Sequence, residues 1–254
     1  MYMQFDFKSK TYSEIYSIFQ IRKDMVSKEH TQKIDVFQHS IEVTYNIDML
    51  LNSTFSSEYE ATGKKQTGPK CLIPILFERN YHYLIAAHEL TKLGLANSSY
   101  LNLRAVFEGI MQIYLLQLTE KEADLCYKKE LDDLTPEEKK ELRKKYEWLK
   151  PAKVREILYS DIKKQQVTDL YSIVSNCAHP TVKGAMNDFR LKHEIISDLL
   201  DVSLALSAAN LIAIHESYFE LIGDKEIDDI TSVLDLISKE YDNQIPDMVP
   251  NNPN

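Results

Sequence analysis

The amino-acid sequence predicts an all-α fold: an antiparallel helical bundle with an N-terminal helical arm and a charged helical insertion. Three observations carry that expectation. Only 6 glycines and 8 prolines occur in 254 residues, too few for the turns of a hairpin-rich β protein. No glycine follows Asn, Asp or another glycine, so the tight two-residue turn signals are missing. Apolar residues recur three and four positions apart over long uninterrupted stretches, the spacing that lines one side of a helix. With 44% hydrophobic residues, the chain is long enough to bury a substantial core.

The elements follow in order. From Tyr12 to about Leu51, residues such as Ile15, Ile18, Phe19, Met25, Ile34, Phe37, Ile41 and Tyr45 predict one long amphipathic helix or two in sequence. Residues 1–51 are thus expected to form the arm. Residues 52–70 turn polar, from Asn52-Ser53-Thr54 to Gly68-Pro69-Lys70, and are expected to be a linker. The bundle domain is expected over 71–240. Its first helix runs from about Ile73 to Leu93, with Pro74 in the first turn and Gly94 at the end. The next is capped by Asn97 or Ser98 and continues to about Leu118. The charged insertion covers 120–164, acidic to residue 138 and basic from 139. Within it, Thr135-Pro136-Glu137-Glu138 predicts a capping box, with Thr135 as cap and Glu138 reaching back.

Helix resumes after Pro151 and again over Asp161 to Ala178, where His179-Pro180 forces a break. The last long helix is expected over Leu191 to Ile222, ending at Gly223, followed by a shorter one over Glu226 to Lys239. The asparagine- and proline-rich residues 241–254 are expected to be disordered.

Composition also bounds function. Three widely spaced cysteines, Cys71, Cys126 and Cys177, contain no Cys-x-x-Cys pair and fit a reduced, cytoplasmic setting. The first residues lack the basic and apolar pattern of a secretory signal. The longest uncharged apolar run, Val202 to Ile214, falls short of the roughly 18 residues that span a bilayer, so no membrane partner is expected.

Familiar catalytic motifs are missing. Gly63 to Gly68 resembles a phosphate loop only in its glycines, because Pro69-Lys70 replaces the lysine and hydroxyl residue. His-Glu occurs at His88, His193 and His215, each without a second histidine four positions on. No histidine has a glutamate three residues before it, which removes the usual di-iron pair. Glu78 and His82 share one helix side, which reads as a surface contact rather than a ligand set. No metal and no cofactor are expected.

One constellation stands out. Tyr171, Ser175 and His179 are spaced i, i+4 and i+8 on one side of a helix. His179 falls at the C-terminal end, where exposed carbonyls favour a protonated ring. Arg104 and Glu108 form an i, i+4 pair inside the otherwise apolar stretch Leu101 to Leu118, and charges there need partners. The plainer reading makes Arg104–Glu108 a structural ion pair and the other three packing or helix-end residues.

Leu103-Arg104-Ala105-Val106-Phe107-Glu108, with Tyr171 to Pro180, resembles the Arg-x-x-x-Glu and Ser-x-x-x-His-Pro elements of a group of prokaryotic helical proteins. That group is similar in architecture to the HEPN superfamily, the higher-eukaryote and prokaryote nucleotide-binding helical domains, many of them metal-independent ribonucleases. The resemblance spans about residues 72–222. It implies an HEPN-like bundle and a protein acting on RNA or a nucleotide in stress or phage defence. The HEPN nuclease order of arginine, four to six residues, then histidine does not occur here. The chemistry that the resemblance implies therefore requires Arg104 to meet His179 through space, His179 as acid or base on a ribose 2′-hydroxyl and Arg104 on the phosphate.

Segment 139–164 holds ten Lys or Arg against Glu141, Glu147, Glu156 and Asp161, with Tyr146, Trp148 and Tyr159 among them. Such a composition can hold single-stranded nucleic acid, although a solvated helix side is the simpler expectation, and a net charge of −9 opposes a wide RNA-binding surface. The competing expectation is a non-catalytic interaction module in which long apolar helices form a homodimer.

Overall fold

A computed structural model describes residues 11–63, 72–118, 128, 134–145, 151–178, 193–240 and 248–250. The protein is all-α, with helices packed on one another and no strand among the described residues.

The predicted N-terminal pair is realised as α1 (Tyr12–Glu29) and α2 (Thr31–Thr62), which break at His30. Helix α1 opens with a capping box. Glu14 N–H donates to Thr11 Oγ1 at 3.3 Å, and the Thr11 amide donates to Glu14 Oε2 at 2.7 Å. Helix α2 runs two to three turns into the expected linker. No glycine or proline interrupts residues 52–62, Phe55 packs edge-on to Tyr218 at 5.6 Å, and Gly63 closes the helix at φ 65°. Thr54 and Thr62 fold their hydroxyls onto the carbonyls of Leu50 and Glu58, one turn back in the same helix.

Helices α3 (Leu72–Lys92) and α4 (Ala96–Leu118) form an antiparallel hairpin. Gly94 adopts φ 75°. Its amide donates to Thr91 O and that of Leu95 to Leu90 O, closing α3 in a Schellman turn. Asn97 and Ser98, expected as caps, lie inside the first turn of α4. The hairpin is fastened instead by Ser99 Oγ, which bonds Thr91 Oγ1 at 2.8 Å and the Ala87 carbonyl at 2.9 Å.

Next come α5 (Pro136–Lys145), α6 (Pro151–Leu158) and α7 (Asp161–Ala178). The predicted box at the start of α5 is present, with Thr135 N–H and Glu138 Oε2 2.9 Å apart and the reciprocal bond at 3.2 Å. Helix α8 (His193–Tyr218) stops a turn before the expected Ile222, and α9 (Asp224–Glu240) follows.

One apolar cluster joins α2, α3, α4, α6, α7, α8 and α9. The arm is built into it through Val36, Phe37, Val43, Ile47 and Leu51, while Val26 and Ile34 bind α1 and α2 to Ile196 and Leu200 of α8. Phe37 meets His88, and Asp48 meets Glu78 and His82, so α2 and α3 are antiparallel. Lys33–Asp201, Ser40–Ser207 and Phe55–Tyr218 contacts make α2 and α8 parallel. Helix α8 is long and apolar enough to cross a membrane, and 78% of that stretch is buried inside the bundle. Of the tail expected to be disordered, Met248–Pro250 are docked: Met248 is buried in the main cluster.

Candidate functional site

Helix α4 lies at the centre of the bundle, between α3 and α8 on one side and α6 and α7 on the other. Leu103, Val106, Phe107 and Ile110 anchor it in the core. Arg104 and Glu108 therefore sit at the border of that buried side, each about one-third exposed. Arg104 Nε donates to Glu108 Oε1 at 2.9 Å. From α7 the Tyr171 hydroxyl donates to the same oxygen at 3.2 Å, while its ring tilts against Phe107 at 5.3 Å. Three of the five sequence-predicted residues thus meet. Ser175, one turn further along α7, is half-buried. His179 lies outside the described residues, so its expected approach to Arg104 falls there too.

A fourth member was missed. Arg155 of α6 places its guanidinium carbon 4.2 Å from the centre of the Tyr171 ring, closer than that of Arg104 at 5.7 Å. The sequence shows Arg155 as one of ten cations in a run. Its position between Val154 and Leu158, which are both buried, was the available sign that this cation faces inward. Arg155 is only 8% exposed, and its Nη1 is buried with no hydrogen-bond partner. Burial depresses the Arg155 pKa, opposed by the Tyr171 hydroxyl and Glu108, whereas the Glu108 bond raises that of Arg104. Both guanidinium groups stay charged at any working pH.

The cluster therefore holds two cations, the Glu108 carboxylate and a phenol, and the exposed Glu156 carboxylate also acts on Arg155. Glu108 orients Arg104 and Tyr171, and the phenol ring supports Arg155 through its π face. An unsatisfied buried N–H is costly and offers a strong donor to an incoming anion. Lys139 and Lys140 are exposed on α5, and Lys163 donates to the Val249 carbonyl at 2.9 Å.

Two other groups are electrostatically unusual. Asp48 is 4% exposed and its Oδ1 is buried without a partner. Burial and the Glu78 carboxylate raise its pKa to about 6, against the opposing pull of His82 and Asn52. His88 is stacked on Phe37, ring centres 4.2 Å apart and planes within 8°, with neither ring nitrogen hydrogen-bonded. Burial, then Lys92 and Lys23, lower its pKa to about 4 against Glu89. Glu78 and His82 lie beside Asp48, yet among the described residues no three His, Cys, Asp or Glu are arranged to hold a metal ion. The chain matches no protein-family model, no curated protein and no solved structure.

Proposed function

We propose that the Arg104–Glu108–Tyr171–Arg155 cluster takes up a phosphate group of RNA or of a nucleotide. With His179 it would cleave RNA without metal. The observation that carries this reading is the buried Arg155 guanidinium, whose Nη1 lacks a partner beside a second arginine. Phosphate supplies the acceptor oxygens that such a pair of planar cations fits. In the cleavage step, His179 takes the proton of a ribose 2′-hydroxyl. The 2′-oxygen bonds to phosphorus, the bond from phosphorus to the 5′-oxygen breaks, and that oxygen takes a proton from solvent water as it leaves. Arg104 and Arg155 offset the negative charge that gathers on the phosphoryl oxygens. The proposed setting is the prokaryotic cytoplasm, in stress or phage defence, as the sequence resemblance implies.

The test is cleavage of a mixed set of RNAs in EDTA by the wild type and by the His179→Ala, Arg104→Ala and Arg155→Ala variants. Loss of about 100-fold or more in each variant, with unchanged circular dichroism, supports the reading. Absence of cleavage by the wild type overturns the catalytic part, as does cleavage that persists in all three variants.

A second reading, a homodimeric interaction module, is favoured by exposed apolar residues on two packed helices: Tyr45 and Met49 of α2, and Ile75 and Ile85 of α3. Light scattering of the wild type and of an Ile75→Glu, Ile85→Glu variant decides it. A dimer that becomes a monomer supports this reading, and a wild-type monomer removes it.

A further inference from the structure

Tyr159 and Lys163 flank the corner between α6 and α7, and both hold the same short piece of chain. Tyr159 is buried, and its hydroxyl donates to the Met248 carbonyl at 2.7 Å. Lys163 Nζ donates to the next carbonyl, that of Val249, at 2.9 Å. Met248 itself is 3% exposed and packs in the main apolar cluster. A three-residue strap, Met248–Pro250, is thus fixed at three points across the corner.

The corner is also where the candidate site is assembled. Arg155 lies one helical turn before Tyr159, whose amide donates to the Arg155 carbonyl at 3.0 Å. Tyr171 lies two turns after Lys163 on α7. The two helices that press the Arg155 guanidinium against the Tyr171 ring are therefore tied together by residues 86 and 89 positions later in the chain. A short helix such as α6, eight residues long, has little stability of its own and depends on such tertiary ties.

We infer that Met248–Pro250 is a positioning strap that governs the Arg155–Tyr171 site. When it is docked, Arg155 is set for phosphate; when it is displaced, the corner loosens and the guanidinium loses its place. This inference rests on the phosphate reading above. Because binding and docking are linked, whatever fraction of affinity the strap supplies must return as stabilisation of the strap by phosphate. Tyr159, Lys163 and Met248 are positioning residues; none is placed on substrate.

The experiment uses the full chain, inorganic pyrophosphate as the probe, and two variants. Tyr159→Phe removes one hydrogen bond and keeps the ring, while Met248→Asp expels the strap from the apolar cluster. Calorimetry reads pyrophosphate affinity, and amide hydrogen exchange reads residues 151–163 with and without the probe. The expected result is about tenfold weaker binding in Met248→Asp, a smaller loss in Tyr159→Phe, and faster exchange over 151–163 in both. Pyrophosphate should also slow exchange at this corner in the wild type and leave Arg155→Ala unaffected, a linkage that a purely structural strap would not show. Faster exchange with unchanged affinity overturns the strap's role and leaves the phosphate reading standing. Unchanged exchange in both variants overturns it as well. A wild type that does not bind pyrophosphate removes the phosphate reading and this inference together, an outcome distinct from either of the others.

Discussion

Tyr171 is held by every other member of its cluster: its hydroxyl by Glu108, one side of its ring by Phe107, and its π face by two guanidinium groups. Tyr171→Phe should keep the ring contacts and cost about 1 kcal/mol, the usual net value of one hydrogen bond, in urea unfolding. Arg155→Ala should cost about 1–3 kcal/mol, because a long buried stem and a cation–π contact both go. Arg155→Lys should recover part of the stability but little pyrophosphate affinity, since an ammonium lacks the planar fork. The residues of α4 and α7 were legible because i, i+4 spacing inside an apolar stretch marks a charge or phenol that must find a partner. Arg155 was not, because a run of lysines and arginines hides which member turns inward until α6 has been packed on α4.

Between elements, the most exacting contact is that of α3 with α4. A Cβ on Gly109 would stand 2.0 Å from Asn80 Oδ1, and Asn80 Nδ2 donates to Asn210 of α8 at 2.9 Å. Gly109→Ala should therefore destabilise by at least about 2 kcal/mol, with part of the loss recovered in Gly109→Ala, Asn80→Ala, as read by thermal unfolding.

The α2–α3 interface carries the acid response. Asp48 has a folded pKa near 6, above its ordinary 3.8, so the folded state holds the proton more tightly. Its contribution to stability is therefore fully present below about pH 4 and is lost as pH rises through 6. Asp48→Asn, which mimics the protonated acid, should raise stability at pH 7 by on the order of 2–3 kcal/mol and have no such effect at pH 3.5. His88 works in the opposite sense. Its folded pKa near 4 lies below the ordinary 6.5, so protonation of the unfolded chain removes stability as pH falls from 6.5 to 4. His88→Leu should flatten that limb, and denaturation midpoints from pH 3.5 to 8 separate the two groups. Neither partner of Asp48 across the interface was readable beforehand. The sequence set Glu78 beside His82, but only the antiparallel register of α2 brings Asp48 over them.

At the scale of the whole chain, a single apolar cluster extending from α2 to Met248 implies one cooperative unit. Helical circular dichroism and tyrosine fluorescence should lose their signals at the same urea concentration. Helix α1, attached by Ile18, Arg22 and Val26 and by the Lys23–Glu89 pair but exposed along much of its length, should exchange its amides first. The fold class was legible because 3.6-residue periodicity survives across most of the chain. Helix ends were less so, as 52–62 illustrates: its Ser and Thr read as a linker, yet a partner for Phe55 on α8 kept the stretch helical. Nor does local patterning register a distant tie, which is why the docking of Met248 was not foreseen.

The apolar interior of α8 has a consequence for how the chain is made. As Glu194–Tyr218 leaves the ribosome it presents a 25-residue segment apolar enough to be taken for an insertion signal. Helices α2, α3 and α4, which form its receiving groove, precede it in the sequence, so the groove can exist before its occupant emerges. Asp201, Ser207 and Asn210 then give the segment a preference for that groove over lipid, because Lys33, Ser40 and Asn80 wait there with matching polar groups. Any lesion that delays the N-terminal helices, Gly109→Ala among them, would leave this segment unclaimed during synthesis and divert nascent chains towards membranes, chaperones or aggregates.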